Sequence, residues 1–171
     1  NLVFNEFEQC IFSKCELNNV DLSDIKFINC SFIDCNLSNV KLINTSLQKV
    51  EFERCKMIGF NIDEINQFGL KVSFTECNLN ESSFYESSLK NTKFYKCLLE
   101  NVDFSIANLS YSSFYDCNLN HAIFSGTDLC YSDLKSAYSF DIDPTKNKLK
   151  HAKFSKENII GLTYSFGIKV E

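Results

Sequence analysis

The stretch Cys77–Cys97, CNLNESSFYESSLKNTKFYKC, places a large apolar residue at every fifth position: Leu79, Phe84, Leu89 and Phe94. Two residues ahead of each stands a small one: Cys77, Ser82, Ser87 and Thr92. A buried helical stripe recurs about every 3.6 residues and a strand face about every two. A period of five satisfies neither. The same register runs back through Ile62, Met57, Phe52, Leu47, Leu42, Leu37, Phe32, Phe27, Leu22, Leu17, Phe12, Phe7 and Leu2. It runs forward through Leu99, Phe104, Leu109, Phe114, Leu119, Phe124, Leu129 and Leu134. Between Ile62 and Phe74 lie two residues more than the period requires, so one short insertion falls in DEINQFGLK, residues 63–71.

This periodicity resembles the pentapeptide-repeat family, whose consensus is roughly A-(D/N)-L-x-x. Val20-Asp21-Leu22, Ala107-Asn108-Leu109 and Thr127-Asp128-Leu129 are the best matches. The resemblance covers residues 2–136 and implies an all-β solenoid, a right-handed quadrilateral parallel β-helix with four repeats to each coil. It also implies that the repeat centre and the residue two before it point inward, and the other three outward.

Four repeats of five make a 20-residue coil, which the residues test by themselves. One column reads Phe12, Phe32, Phe52, Phe74, Phe94, Phe114, Leu134, with Phe154 in the same register. Others read Leu17, Leu37, Met57, Leu79, Leu99, Leu119 and Leu22, Leu42, Ile62, Phe84, Phe104, Phe124. The fourth, Phe7, Phe27, Leu47, Leu89, Leu109, Leu129, is expected to lose its member at the insertion. A bare five-residue repeat does not require leucine and phenylalanine to segregate; stacked coils do, because each side chain packs on its equivalents above and below.

Eight of the nine cysteines take the small inward position, six of them (Cys15, Cys35, Cys55, Cys77, Cys97, Cys117) on one column. No paired C-x-x-C spacing suggests a metal site, so they read as small buried hydrophobes and free thiols, as in a reducing bacterial cytoplasm. Only Cys130 is expected outward, as a bystander thiol. The two histidines, His121 and His151, have no histidine near them in sequence, and no phosphate loop or nucleophile elbow is present. The reading is of a non-enzyme with no catalytic residue, metal or cofactor. A net charge of −5 disfavours direct nucleic-acid binding, and no apolar run approaches the ~20 residues that span a bilayer.

The outward residues sort by side. The side centred on Leu22, Leu42, Ile62, Phe84 and Phe104 carries Asp21, Asp24, Asp63, Glu64, Glu86 and Asp103 against one base, Lys41. Such an anionic stripe on a stiff rod suits a partner that grips a polyanion. Outward Ile28, Ile33, Ile43, Ile58, Tyr85, Tyr95 and Tyr115 suggest either stiffened strands or a contact patch.

Residues 137–171 read as a C-terminal cap: a helix over about 156–165 opened by Ser155 and ended by Gly167, then a short strand Ile168-Lys169-Val170. Ile159, Ile160, Leu162, Phe166 and Ile168 exceed what capping requires and suggest a self-associating surface. The segment AKFSKENIIGLTYSFGIKVE resembles the C-terminal module of the quinolone-resistance pentapeptide proteins, the Qnr and MfpA group. That resemblance implies a homodimer joined through the module, a DNA-mimicking shape, and binding to DNA gyrase or topoisomerase IV that relieves quinolone inhibition. The alternative is a structural or scaffolding solenoid that binds an unrelated protein through its Tyr/Ile or Asn-rich surface.

Overall fold

The computed structural model describes residues 5–168 and is a parallel β-solenoid. Eight strands belong to one sheet: β1 (Glu6–Glu8), β2 (Ile11–Ser13), β3 (Lys26–Ile28), β4 (Ser31–Ile33), β5 (Ser46–Glu53), β6 (Asn66–Thr75), β7 (Lys93–Tyr95) and β8 (Ser113–Tyr115). Every pairing is parallel, and β1 meets β3 and β2 meets β4 at an offset of 20 residues, Phe7 beside Phe27 and Phe12 beside Phe32. Between strands the coils touch through single parallel bridges at the same offset, such as Asp21↔Lys41, Ser83↔Asp103 and Asn108↔Asp128. Bridging continues past Leu134, at Asn118↔Tyr138, Asp128↔Lys148 and Asp133↔Lys153.

The five-residue period has a local cause. Between Gln9 (φ 54°) and Tyr131 (φ 60°), the residue two after the centre takes a left-handed backbone at every repeat but that of Ile62, as at Asp24, Asn29 and Asn44. That reversal turns the chain once per repeat and lets the next small residue fold back. In many turns its N–H then donates to the preceding centre's carbonyl, Val20 to Leu17 at 3.0 Å and Ala107 to Phe104 at 3.1 Å. The small inward side chain does a second job, donating to a carbonyl of the coil before. Thr45 Oγ1 reaches Leu22 O at 2.8 Å, Ser112 Oγ reaches Leu89 O at 2.9 Å, and Cys55 Sγ reaches Phe32 O at 3.3 Å. Serine, threonine and cysteine thus interchange at this position because each is small and carries a donor.

The core is a stack of files. The rings of Phe12, Phe32, Phe52, Phe74, Phe94 and Phe114 form one pile with successive centroids 4.6, 5.3, 5.3, 5.2 and 4.9 Å apart, all within 15° of parallel. Phe84, Phe104 and Phe124 form a second pile at 5.3 Å, set edge-on to the first. Offset stacks and edge contacts are the arrangements that the ring quadrupole favours.

The insertion is a bulge in register. Ser46 pairs with Asn66, but Gln48 pairs with Lys71 and Val50 with Val72. Phe68 stands at its crest, 81% exposed, while Leu70 turns back half-buried against the core. The fourth column therefore has an apolar substitute at the coil where a gap is expected. Gly69, at φ +71°, sits against the Gln48 side chain, where a β-carbon would come within 3.3 Å of it.

The C-terminal segment differs from the expected helix over 156–165. It forms two short 3-10 helices, Ile159–Leu162 and Tyr164–Phe166, broken at Thr163. The expected cap, Ser155, is not the N-cap: that place is taken by Asn158, which makes no side-chain cap bond, while Ser155 Oγ accepts the Asn158 N–H at 3.2 Å and the Asn158 side chain is held to the last coil. Its Nδ2 donates to the carbonyls of Leu134 at 2.7 Å and Ala137 at 2.8 Å. Gly161 lies flat on Phe140, where a β-carbon would stand 2.4 Å from the ring, and its carbonyl accepts the Ile142 N–H. Docking on the coil overrides a helix too short to be stable alone. Gly167 (φ 65°) closes the last turn, its N–H reaching Tyr164 O at 2.9 Å. The expected strand Ile168-Lys169-Val170 lies outside the described residues save Ile168, which belongs to no strand.

Candidate functional site

Part of the outward surface is tied coil to coil. Lys26 pairs with Glu6, Lys41 with Asp21, and Arg54 with Asp34, each across 20 residues. Asparagine amides repeat the theme: Asn36 to Glu16, Asn44 to Asp24, Asn101 to Glu81 and Asn120 to Glu100, at 2.7–2.9 Å. Each such pair is open to solvent and contributes little to stability.

The acidic side resolves into two kinds of carboxylate. Asp21 and Asp103 stand one residue before a centre, and each Oδ1 accepts a backbone N–H two residues on, Ser23 at 3.0 Å and Ser105 at 2.8 Å. Asn78, Asn108, Asp128 and Asp133 make the same bond. This Asx turn is why the repeat favours Asp or Asn there, so these two carboxylates serve their own coils. The Ser23 hydroxyl and N–H, with Lys41 behind them, hold the Asp21 carboxyl below the usual range.

The second kind faces solvent. Asp24 and Glu86 stand two residues after their centres in the left-handed turn, and Glu64 stands two residues after Ile62. The Asp24 carboxylate accepts the Asn44 amide at 2.8 Å, and the Asp63 carboxylate accepts the Ser83 hydroxyl at 2.7 Å. Asp24, Asp63, Glu64 and Glu86 enter no ion pair among the described residues. A shallow groove of about 560 Å³ on this side is lined by Asp63, Glu64, Lys41, Asn61, Asn39 and Ile43, with Val40, Leu42 and Gly59 completing it.

At the C-terminal end, Ile159, Phe166 and Ile168 are each just over half exposed, as is Tyr164. Ile160 and Leu162 are half-buried, and Leu162 packs on the core. The expected apolar set is thus split between an inner pair and an outer rim.

Two further surface features carry aromatic residues that the sequence already sets one coil apart, with cations that it does not assign to them. Tyr111 and Tyr131 stack at 4.8 Å, His151 lies tilted on Tyr131 at 4.7 Å, and Lys90 Nζ stands 5.3 Å over Tyr111. Tyr95 and Tyr115 stack at 5.1 Å, with Lys96 over Tyr95. The 20-residue spacing of like residues is the available signal. Cys130 is half-buried, and burial, followed by Asp128, raises its thiol pKa, the reverse of an activated nucleophile. His121 is exposed, as expected.

The sequence profile described as pentapeptide repeat region matches residues 5–67 and 70–164. The chain belongs to the pentapeptide repeat family. The unmatched pair, Phe68 and Gly69, is the crest of the bulge, so this pentapeptide repeat protein departs from its family where its coils depart from register. Among solved structures it is similar to a trypsin-treated variant of QnrB1, described as a plasmid-mediated fluoroquinolone resistance protein. That match has 19% identity, a TM-score of 0.70, and covers 97% of this chain and 90% of the other. A second trypsin-treated variant of QnrB1 matches at 19% identity and a TM-score of 0.67, covering 97% and 91%. At that identity the likeness is one of fold. No curated protein matches the chain. Among the described residues no helix is long and apolar enough to cross a membrane.

Proposed function

We propose that this pentapeptide repeat protein is a non-catalytic DNA mimic that binds a type II topoisomerase, DNA gyrase or topoisomerase IV, in the bacterial cytoplasm and protects it from quinolones. The observation that carries this reading is the set of solvent-facing carboxylates Asp24, Asp63, Glu64 and Glu86 on one side of a solenoid. A rod that holds carboxylates at fixed intervals enters a basic cleft without the reorganisation a flexible acidic chain requires. The fold likeness to a fluoroquinolone resistance protein supports the choice of partner. The reading takes the solenoid as right-handed and four-sided, as the family resemblance implies. Carboxylates stand farther apart here than phosphates on duplex DNA, which carries one charge per ~1.7 Å. A homodimer formed through the outer rim of Ile159, Tyr164, Phe166 and Ile168 lengthens the charged surface and covers apolar side chains now facing solvent.

The test is supercoiling by purified gyrase in the presence of a fluoroquinolone, with and without this protein. Restored supercoiling at micromolar protein is expected. No effect on gyrase or on topoisomerase IV removes the reading. A second reading, an interaction scaffold for an unrelated protein, is favoured by the stacked pair Tyr95–Tyr115 beside a groove of about 470 Å³ shared with Asp133 and Lys135. Partner capture that survives high salt would point to that apolar surface, since screening weakens an electrostatic mimic.

A further inference from the structure

The bulge over residues 66–71 reshapes the face beside it. Between the pairs Gln48↔Lys71 and Val50↔Val72, β5 has one residue, Lys49, with no partner on β6. Lys49 takes a left-handed turn at φ 55°. Lys71 enters the ladder directly beside it, because the insertion has slid β6 along. One coil further, Lys93 pairs with Ser73. The three lysines line one groove of about 460 Å³ together with Glu51, Asn91 and Ser73, over a floor of Val50 and Val72.

All three lysines are exposed, and none joins an ion pair or side-chain hydrogen bond among the described residues. Three other lysines are paired with a carboxylate one coil away, Lys26–Glu6, Lys41–Asp21 and Lys148–Asp128. Here three cations face one carboxylate, Glu51, in a chain whose net charge is −5. Like charges gathered without counter-charges repel one another, and an anionic ligand relieves the repulsion.

We propose that this groove binds a linear oligophosphate. Lys49, Lys71 and Lys93 come from three successive coils, so they span about 10 Å along the axis at the usual strand spacing. A chain of linked phosphates reaches all three ammonium groups, whereas one orthophosphate meets at most two. Asn91 and Ser73 add neutral donors between the cations. The groove is too small for a duplex, and the chain's overall negative charge opposes long polyanions. The insertion then has a role separate from the acidic side: it places Lys71 between Lys49 and Lys93.

The experiment is isothermal titration of the full chain with inorganic triphosphate at low salt. Orthophosphate and a nucleoside triphosphate are run alongside. Triphosphate is expected to bind at least about tenfold more tightly than orthophosphate, and binding is expected to weaken as salt rises. The nucleoside triphosphate is expected to bind as well, through the same phosphates. Lys71→Gln is expected to weaken binding about tenfold, and the Lys49→Gln/Lys71→Gln/Lys93→Gln variant to abolish it. A charge-matched control, Lys135→Gln/Lys148→Gln/Lys156→Gln, is expected to bind as the parent does. All six side chains are exposed, and unchanged melting curves establish folding. The proposal is overturned if triphosphate gives no heat at millimolar concentration, if only the nucleoside form binds, or if the groove variant and the control lose binding equally.

Discussion

The rings of Phe94 and Phe114 lie 4.9 Å apart and 5° from parallel, although 20 residues of chain separate them. Both are fully buried, and each also meets Phe104 edge-on at 6.0 Å. Each ring is thus a contact between neighbouring coils, and stability passes along the rod through such contacts. Phe94→Ala is expected to cost about 3–5 kcal/mol and Phe94→Leu clearly less. Chemical denaturation of both variants measures it. A cost for Phe94→Ala below that of an exposed substitution would mean that the pile carries no load.

Ile106 presents the opposite case. It stands in a left-handed turn at φ 61°, a conformation that a β-branched residue adopts only under strain, and it is about half exposed. Many equivalent turns use Asn, Asp or Gly. Ile106→Asn is expected to stabilise the protein by about 1 kcal/mol, read as a rise in melting temperature.

The thiols are expected to separate by burial. Cys30, Cys35, Cys55, Cys77, Cys97 and Cys117 are buried, whereas Cys10, Cys15 and Cys130 are half-buried. Burial pushes the Cys35 thiol up to about 11, and contact with Cys117 together with burial pushes Cys97 upward; the Cys77 contact lowers Cys55 to about 7, but Cys55 is buried away from reagent. A thiol reagent at neutral pH is therefore expected to label the half-buried group first and the buried six only on unfolding. Mass mapping of the labelled peptides identifies the sites.

Acid is expected to loosen the turns. The Ser23 hydroxyl and N–H hold Asp21 low, Arg54 holds Asp34 low, and the Thr145 hydroxyl and N–H hold Asp143 low. An unfolded Asp titrates near about 3.9, so these folded carboxyls ionise below the unfolded value. Their contribution is fully present above that pH and is lost as pH falls through the folded values. Melting temperature is expected to stay level from neutral pH down to about 5 and to drop below about 4. Asp34→Asn should reduce the drop.

The piles of phenylalanine were legible in the sequence because stacked coils force like residues to the same position, and Phe12 to Phe114 recur every 20 residues on either side of the two-residue insertion. The acidic side was legible only in part. Asp21 and Asp103 have the charge of Glu64 and Glu86, and composition cannot show that two of them are bound by their own turns. The cap misled for a different reason. Helical spacing in residues 156–165 is real, but Asn158 binds the last coil and Gly161 must lie on Phe140, contacts with residues more than 20 positions earlier. The basic groove was hidden because Lys71 reaches Lys49 only through a register slip.

The central claim, that an acidic side docks in a topoisomerase's DNA cleft, is tested most directly by the binding of immobilised gyrase to the parent protein and to the Asp63→Lys/Glu64→Lys/Glu86→Lys variant. These carboxylates accept no bond from their own turns, so the rod is expected to stay folded. The account predicts that the parent binds, that its affinity falls as salt rises, and that the variant loses binding at every salt concentration. Equal binding by a folded variant would contradict it.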